Sequence, residues 1–398
     1  MNYKNNLSVL GFGCMRLPGD FEKSRQLILR AVEKGVDYFD TAYIYPGNEA
    51  LLGKILHKEN LRERVKIATK LPLFLCKSSS DFDKIFNKQL AQLKTDYIDY
   101  YLLHMLSSPD ELQSLFETGL NRWLIQKKSQ GQIRQIGFSF HGKQGDFVKL
   151  IDACAAGNPN APFIWDFTMI QYNYLDVNNQ AGLTGLKHAY SQNIPVIIME
   201  PLRGGLLANP KKLPKKAVKA LGDFPESRSP AEWALRWLWN HEEVSCVLSG
   251  MRNMSDLDNN ISLAEACFPG CMSDRELGVI ERVADVFNQL NVIPCTGCNY
   301  CMQNPDGGAL CPVGVNIPGC FTAYNSKSYK QYVQNNGALI SKKGLASSCI
   351  KCGKCQPRCP QSIEIAKSLK IVSRKMEPWW FKLVMAIARK FTGGDRKR

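Results

Sequence analysis

Two runs of cysteine near the C-terminus have a spacing that suits metal-cluster chemistry. They read Cys295-x2-Cys298-x2-Cys301 followed by Cys311-Pro312, and Cys349-x2-Cys352-x2-Cys355-x3-Cys359-Pro360. A short loop of this kind directs three thiolates at one small object while the fourth ligand comes from further along the chain, which is typical of iron–sulfur sites. Zinc sites use pairs of Cys-x2-Cys and rarely a triple closed by Cys-Pro. The spacing therefore predicts iron–sulfur clusters, with zinc as the alternative.

A second group of reactive residue types follows apolar runs in the first part of the chain. Asp40 lies near the end of one run with Tyr45 just after it, Lys70 lies at the end of the next, and His104 ends a third. A Lys ammonium favours the phenolate of a nearby Tyr and so lowers a pKa that is ordinarily about 10, and a carboxylate beside the Lys keeps it charged. A His can hydrogen-bond a substrate oxygen and orient it. The four residues together suit reduction of a carbonyl.

The elements that must position these residues alternate regularly. Short β-rich runs are predicted at 9–14, 36–42, 65–71, 97–104, 133–140, 167–172, 194–201 and 244–250. Amphipathic stretches are predicted as helices at 24–34, 49–56, 82–94, 110–130, 143–155, 181–192, 230–240 and 255–264. Eight strands alternating with eight helices indicate an α/β chain that forms a (β/α)8 TIM barrel, whose active sites lie where the strands end. A doubly wound open sheet is the alternative, but no Gly-x-Gly-x-x-Gly follows the first strand.

Several spaced motifs of this region resemble the aldo-keto reductase family, in family order. They are Gly11-Phe-Gly-Cys-Met-Arg-Leu17, Asp40-Thr-Ala-x-x-Tyr45, Gly47-Asn-Glu-x-x-Leu-Gly53, Thr69-Lys70 and Leu103-His104. The resemblance covers about the first two thirds of the chain. It implies that Tyr45 is the general acid, that Lys70 and Asp40 tune it, and that His104 positions the carbonyl.

The resemblance also implies a nicotinamide dinucleotide, NADP or NAD, bound without a Rossmann fold. Ser139 and Gln171 match the residues that hold the nicotinamide carboxamide. The family Asn after the Ser is replaced by Phe140, and the aromatic residue that stacks on the ring is replaced by Met199. Further cofactor contacts are expected from four residues, namely Arg203, Ser249, Arg252 and Asn260.

The cysteine region resembles a two-cluster ferredoxin-type α+β domain, and a subgroup of aldo-keto reductases carries such a 4Fe-4S domain at its C-terminus. The ferredoxin pattern implies crossed ligation. Cluster one would take Cys295, Cys298, Cys301 and Cys359, and cluster two would take Cys349, Cys352, Cys355 and Cys311. Cys311 follows an insertion at 303–310, so Cys320 is a rival for its place.

The expected domain organisation follows from these assignments. Residues 1–265 form the barrel, 266–293 a linking helix, 294–370 the 4Fe-4S domain and 371–398 a basic amphipathic tail. Two insertions, at 157–163 and 207–228, are predicted to be loops. On a helical tail Trp380, Val384, Ile387 and Phe391 share one face, which suits either weak contact with a membrane surface or docking on the protein itself; docking is favoured.

The composition and charge of the chain indicate its general class and which binding partners are expected. The chain has 398 residues, of which 44% are hydrophobic and 22% charged, as expected for a globular soluble protein. A polar start and clustered cysteines favour thiolate ligands in a reducing, cytoplasmic setting. The formal charge of +15 suits an acidic electron carrier such as ferredoxin, and without a recognised motif nucleic acid is not expected.

Two functions remain open from the sequence. In the first, the protein is a nicotinamide-dependent oxidoreductase that reduces a small carbonyl or oxidises an alcohol, with its clusters coupled to that reaction or regulating it. In the second, it is an electron-transfer or redox-sensing iron–sulfur protein whose barrel is mainly a ligand-binding scaffold.

Overall fold

The computed structural model describes residues 1–290, 292–302, 304 and 308–392, except for the side chains of Tyr3, Phe391 and Thr392. The chain divides into two compact units. The first comprises residues 1–203, 207–210 and 215–284, and the second comprises 204–206, 211–214 and the residues from 285 onward.

The first unit is a closed parallel barrel preceded by a small hairpin. The hairpin pairs β1 (Tyr3–Lys4) with β2 (Leu7–Ser8). The barrel strands are β3 (Leu10–Gly13), β4 (Tyr38–Asp40), β5 (Lys66–Pro72), β6 (Ile98–Leu106), β7 (Ile133–Phe140), β8 (Phe167–Gln171), β9 (Val196–Met199) and β10 (Val244–Ser249). They pair in sequence order, and β10 pairs with β3 to close the ring. The predicted TIM barrel is confirmed.

The helices of this unit cover the barrel strands. They are α1 (Phe21–Glu33), α2 (Asn48–Lys58), α3 (Ser79–Leu93), α4 (Pro109–Glu117), α5 (Leu120–Ser129), α6 (Gln144–Ala153), α7 (Gly182–Ser191), α8 (Lys215–Gly222), α9 (Pro230–Trp239), α10 (Met254–Ala266) and α11 (Asp274–Asn288). Several begin at side-chain caps, as where Asp20 accepts a hydrogen bond from the Lys23 amide ahead of α1. The last of them, α11, begins in the first unit, and its residues from 285 onward belong to the second.

Three local features of the first unit differ from the sequence prediction. The single helix predicted at 110–130 is divided into α4 and α5, because Gly119 takes a left-handed conformation with φ of 93° and ends the helical path. The insertion at 207–228, predicted to be a loop, contains α8. The hairpin β1–β2 was not predicted, since two-residue strands carry too short a pattern.

The barrel interior is filled by side chains. Its core includes Leu7, Tyr38, Ala68, Leu102, Phe167, Met169, Ile197, Cys246 and Leu248. Leu7 comes from the hairpin and the others from the barrel strands. Because the interior is packed, chemistry must take place at the ends of the strands rather than inside.

The second unit is built from helices and loops around its own core. Its helices are α12 (Ile317–Asn325), α13 (Tyr329–Asn335), α14 (Ile365–Met376) and α15 (Trp379–Thr392). The Tyr332 hydroxyl donates to Glu377 at 2.6 Å, and both side chains are buried. Among the described residues, no helix is long and apolar enough to cross a bilayer.

The tail helix α15 packs on the second unit through a different face from the predicted one. Phe381, Met385 and Arg389 are buried, and the Arg389 Nη1 donates to the carbonyl of Ala338 at 2.8 Å. The predicted face is instead exposed, with Trp380 at 42%, Val384 at 49% and Ile387 at 49%. The fourth member of that face, Phe391, lies outside the described side chains.

Candidate active site and cluster-binding cysteines

A buried ion pair lies at the C-terminal ends of β4 and β5. The Lys70 Nζ donates to both carboxylate oxygens of Asp40, each at 2.7 Å, and to the Thr41 carbonyl at 2.6 Å. Lys70 is 2% exposed and Asp40 is 5% exposed. The adjacent parallel strands carry both residues to the same edge of the barrel. An ammonium held by three oxygens stays in one position.

The phenol and the imidazole lie beside this pair. The Lys70 Nζ lies 5.4 Å from the centre of the Tyr45 ring. The ring centres of Tyr45 and His104 are 6.4 Å apart, with the rings nearly perpendicular. Tyr45 sits in the turn between β4 and α2 and is half-buried, whereas His104 on β6 is 3% exposed. The structure thus brings the four predicted residues together.

Burial sets the charge state of two of these groups. Loss of solvent lowers the pKa of His104 well below its usual value, and nearby Lys70 and His141 lower it further. The imidazole is therefore neutral near pH 7. Burial raises the pKa of Asp40, and the Lys70 ammonium opposes that rise.

A buried polar network behind Lys70 was not assigned a role from the sequence. Glu49 accepts hydrogen bonds from the Thr69 hydroxyl at 2.5 Å and from the Gln89 amide at 2.9 Å. The Gln89 amide also donates to the Lys70 carbonyl at 3.1 Å, and the Tyr101 hydroxyl donates to Gln89 at 2.8 Å. Glu49 and Thr69 had a sequence signal, as parts of the Gly47-Asn-Glu and Thr69-Lys70 motifs, whereas Gln89 and Tyr101 had none.

The two residues expected at the nicotinamide carboxamide end β7 and β8 on the same edge. The Ser139 hydroxyl accepts a hydrogen bond from the Met105 amide at 2.9 Å, and Met105 has a left-handed φ of 64°. The Gln171 Nε2 donates to Asp176 at 2.9 Å. Asp176 also pairs with Arg203 at 3.1 Å.

Asp176 was missed by the sequence reasoning, although it organises this side of the site. It fixes the amide of Gln171 and holds Arg203, whose side chain is only 10% exposed. The sequence feature that could have indicated Asp176 is its position five residues after the end of β8, because the loops that follow barrel strands carry the active-site residues.

The remaining cofactor candidates lie at and beyond β10. The Asn260 Nδ2 donates to the Ser249 hydroxyl at 3.0 Å, and both residues are buried. Arg252 is exposed and follows the strand end. Phe140 packs edge-on against Phe147 in the buried core. Phe140 therefore serves packing where the family has a polar Asn.

The cysteines predicted for cluster one surround a single cavity in the second unit. The cavity is lined by Cys295, Cys298, Cys301 and Cys359, together with apolar side chains that include Ile317, Phe321 and Ile363. Four thiols around an apolar cavity fit the thiolate-rich, poorly solvated surroundings of an iron–sulfur cluster. In the described part of the chain, no three His, Cys, Asp or Glu side chains converge closely enough to hold a single metal ion.

The cysteines predicted for cluster two also lie together. Cys355 is within electrostatic range of Cys311, Cys349 and Cys352. The Cys311 sulfur accepts a hydrogen bond from the Val315 amide at 3.4 Å, a contact that stabilises a cluster thiolate. Residues 303 and 305–307 of the insertion at 303–310 lie outside the described residues.

The rival ligand Cys320 has a different environment. It is fully buried, and its thiol donates to Asn336 and to the Gly344 carbonyl, each at 3.5 Å. Burial raises the pKa of this thiol to about 12. The Cys320 thiol is thus hydrogen-bonded within the core, whereas the Cys311 sulfur lies near Cys355 and accepts an amide hydrogen bond, so these contacts favour Cys311.

Sequence comparison assigns both parts of the chain. Residues 9–270 match the Aldo/keto reductase family, and residues 294–364 match the 4Fe-4S dicluster domain. The barrel and the strand-end residues agree with this match. The chain belongs to the aldo/keto reductase family and carries a C-terminal domain of the 4Fe-4S ferredoxin type.

The individual relatives are oxidoreductases whose names indicate different substrates. The chain is 26% identical to L-galactose dehydrogenase of Arabidopsis thaliana over 71% of this chain and 92% of that protein. It is 32% identical to 6-dehydroglucose reductase of Novosphingobium aromaticivorans over 56% of this chain and 73% of that protein. Among solved structures, the holo form of an aldo-keto reductase from Bacillus halodurans has a TM-score of 0.56 at 25% identity, covering 70% of this chain and 92% of that one.

Proposed function

We propose that the protein is a nicotinamide-dependent oxidoreductase that reduces a small carbonyl, or oxidises an alcohol, with Tyr45 as the general acid or base. One observation carries this proposal. The Lys70 ammonium is fixed by Asp40 at 2.7 Å, next to Tyr45, while His104 closes the other side. A barrel that served only to bind a ligand would have no need of a buried cation beside a phenol.

Each residue has a defined task in this proposal. The Tyr45 hydroxyl donates its proton to the substrate oxygen, and the nearby Lys70 charge stabilises the phenolate that remains. Asp40 keeps Lys70 charged and in place. The neutral His104 donates a hydrogen bond to the same substrate oxygen and orients it. In the oxidative direction, Tyr45 accepts the proton instead.

The cofactor would be held along the same edge of the barrel. NADP or NAD, when bound, supplies or accepts the hydride. Ser139 and Gln171 would bind its carboxamide, and Asp176 would keep the Gln171 amide in the required orientation. Arg203, Ser249 and Asn260 would line the path to the adenosine end. The exposed Arg252 would meet a 2′-phosphate if NADP is the cofactor.

Two 4Fe-4S clusters are proposed in the second unit, bound by the two sets of four cysteines described above. They would relay single electrons to or from an acidic carrier such as ferredoxin, or regulate the enzyme. Support comes from the cavity lined by Cys295, Cys298, Cys301 and Cys359 and from the grouping of Cys311 with the second run. Iron and acid-labile sulfide near eight of each per chain are expected for two cubane clusters.

A second function has its own supporting observation. Cys352 is exposed, so a cluster at that site would exchange electrons with a partner directly. In this version, the protein transfers electrons or senses redox state, and the barrel binds a ligand without turning it over.

Substitution of Tyr45 separates the two functions. The anaerobically purified protein is expected to oxidise NADPH or NADH with a panel of small aldehydes. Tyr45→Phe should lower kcat roughly 10²- to 10⁴-fold, the usual contribution of a positioned proton donor. Tyr43→Phe is the matched control, because Tyr43 lies two residues away and its hydroxyl contacts Lys88 at 3.3 Å rather than the ion pair.

The outcomes are distinct. Equal turnover by Tyr45→Phe and the parent protein would remove Tyr45 from the chemistry. Absence of turnover with every aldehyde, together with rapid reduction of the clusters by ferredoxin, would favour the second function. Zinc in place of iron and sulfide would exclude both electron-transfer roles.

A further inference from the structure

Two cysteines outside both cluster sets lie in contact at the end of the barrel domain. Cys267 directly follows the last residue of α10, and its amide donates to the Leu263 carbonyl at 2.9 Å. The chain then turns through Phe268-Pro-Gly270, and the Cys271 amide donates to the Phe268 carbonyl at 3.1 Å. This turn brings the two thiols within hydrogen-bonding distance of each other.

The turn is held in place by the rest of the barrel domain. The Gly270 amide donates to the Asn240 carbonyl at 3.0 Å, and the Asn240 side chain accepts from the Met272 amide at 2.8 Å. Gly270 has φ of 78°, a conformation that Gly adopts without strain. The close approach of the thiols is therefore built into the fold at both ends of the turn.

The two thiols differ in access and in charge environment. Cys267 is 3% exposed, whereas Cys271 is half-buried. Arg236 lies beside them, with its Nη1 4.0 Å from the Cys267 sulfur, and its Nη2 lies 3.6 Å from Glu276. The hydrogen bond with Cys267 lowers the pKa of the Cys271 thiol to about 6, and Arg236 contributes to the lowering. The same bond raises the pKa of Cys267, and Glu232 adds to that rise.

We propose that Cys267 and Cys271 form a thiol–disulfide exchange site that reacts with small disulfides. The accessible thiol, Cys271, attacks a sulfur of the disulfide RSSR, forms a mixed disulfide and releases one RS⁻. Cys267 then loses its proton and attacks the Cys271 sulfur, which releases the second RS⁻. The products are a Cys267–Cys271 disulfide and two molecules of RSH, so two electrons and two protons pass from the protein to RSSR.

Other cysteines of the barrel domain lack these features. Cys246 is fully buried in the barrel core, and burial raises the pKa of its thiol well above the usual value. Cys154 is also fully buried, and burial raises the pKa of its thiol to about 12. Low accessibility and a protonated sulfur make a thiol inert toward disulfides. Selective reaction at the Cys267–Cys271 pair is therefore expected, independently of the proposed enzymatic function.

Peptide mass spectrometry provides a direct test. The full-length protein is incubated anaerobically with hydroxyethyl disulfide at neutral pH, denatured in the presence of iodoacetamide and digested with trypsin. Residues 253–275 form one tryptic peptide whose only cysteines are Cys267 and Cys271. This peptide should appear unalkylated and lighter by two hydrogens than the reduced form. The peptide 237–252, which contains Cys246 alone, should remain singly alkylated.

One variant tests which thiol attacks first, and a second tests whether Arg236 makes Cys271 reactive. Cys267→Ser should trap the mixed disulfide on Cys271, because the resolving thiol is gone. Arg236→Met should slow the reaction of Cys271 near pH 6. In the parent protein, the rate of alkylation of Cys271 should change little between pH 7 and 8, whereas a thiol with an ordinary pKa of about 8.5 reacts about eightfold faster over that interval.

Three results would overturn the proposal. The first is recovery of both cysteines in alkylated form after prolonged incubation. The second is a mixed disulfide on the parent protein that persists without resolution. The third is a mixed disulfide on Cys246 that forms as quickly as the one on Cys271.

Discussion

The buried ion pair between Lys70 and Asp40 is the central residue-scale feature of the candidate active site. Taking both charges out of water is costly, so such a pair contributes little net stability compared with an apolar pair. Removing one partner destabilises the protein strongly, because the other charge then stays buried without a partner. A buried ion pair that adds little net stability is expected at a site where a charged group takes part in the reaction.

Asp40→Asn should therefore affect both stability and activity. It leaves the Lys70 ammonium with the Thr41 carbonyl as its remaining strong acceptor, and we expect a loss of about 3 to 5 kcal/mol in the free energy of unfolding. Urea unfolding followed by tryptophan fluorescence measures this. Asp258→Asn is the control, because Asp258 pairs with Arg30 at the surface, where loss of an ion pair costs about 1 kcal/mol or less. Equal effects of the two substitutions would contradict the assignment.

His104 should make the protein less stable in mild acid. Its pKa is lowered in the folded state, whereas in the unfolded chain it is about 6.5. The unfolded state therefore binds the proton first as the pH falls. The stability that neutral His104 confers is complete above pH 6.5 and is lost as the pH falls through that value, at up to about 1.4 kcal/mol per pH unit.

Substitution of His104 by a neutral side chain tests this pH dependence. In His104→Gln, the free energy of unfolding should fall less steeply between pH 7 and pH 5 than in the parent protein. His57→Gln, at an exposed position of α2, is the control. A slope that is unchanged by His104→Gln would show that another group causes the acid sensitivity.

At the candidate site, the sequence predicted the residues of reactive type and missed residues that only hold other side chains in place. Asp40, Tyr45, Lys70 and His104 are reactive types at strand ends, so their positions could be predicted. Asp176 and Gln89 act only by holding another side chain in place. Such a role depends on distances between elements that are remote in sequence, and residue type alone does not encode those distances.

At the scale of elements, strands were easier to predict than helix boundaries. Parallel strands are buried on both faces and therefore appear as continuous apolar runs. The division between α4 and α5 depends on the backbone conformation of one residue, Gly119, inside a stretch with unbroken amphipathic character. The helix α8 was hidden by Pro- and Lys-rich flanks, although Ala217 and Leu221 are buried one turn apart.

Gly119→Ala tests the cause of that division. A Cβ at this position would meet only the end of the Arg122 side chain, at 3.6 Å, so space is available. The φ of 93° is the obstacle, and we expect a loss of about 1 to 2 kcal/mol in the free energy of unfolding. Gly145→Ala is the matched control, because it lies near the start of α6, also in open space but without a positive φ, and should change stability by less than about 0.5 kcal/mol. If the two variants have the same stability, backbone strain does not divide the helix.

The tail helix shows how an amphipathic pattern can be assigned to the wrong face. Trp380, Val384 and Ile387 are apolar at helical spacing, yet they stay exposed. The buried face includes Arg389, whose charge argued against burial in the sequence. Its guanidinium is accommodated because the Ala338 carbonyl accepts a hydrogen bond from it.

At the scale of the whole molecule, positive charge is concentrated in the C-terminal region. Residues 294–398 contain 17 Lys and Arg against 4 Asp and Glu, so they carry +13 of the formal charge of +15. The preceding 293 residues are nearly neutral. A positive electrostatic potential around the proposed clusters would attract acidic electron carriers. It would not affect the binding of small uncharged carbonyl substrates to the barrel.

Charge reversal at Lys354 tests this attraction. Lys354 is exposed and lies between Cys352 and Cys355 of the second run. Lys354→Glu should slow reduction of the clusters by an acidic ferredoxin roughly tenfold at low ionic strength, and the difference should shrink as salt screens the charges. Anaerobic stopped-flow absorbance measures the rate. Lys23→Glu makes the same charge change on an exposed position of α1 and should have little effect. Equal slowing by both variants would mean that net charge, rather than the surface around the second run, governs the encounter.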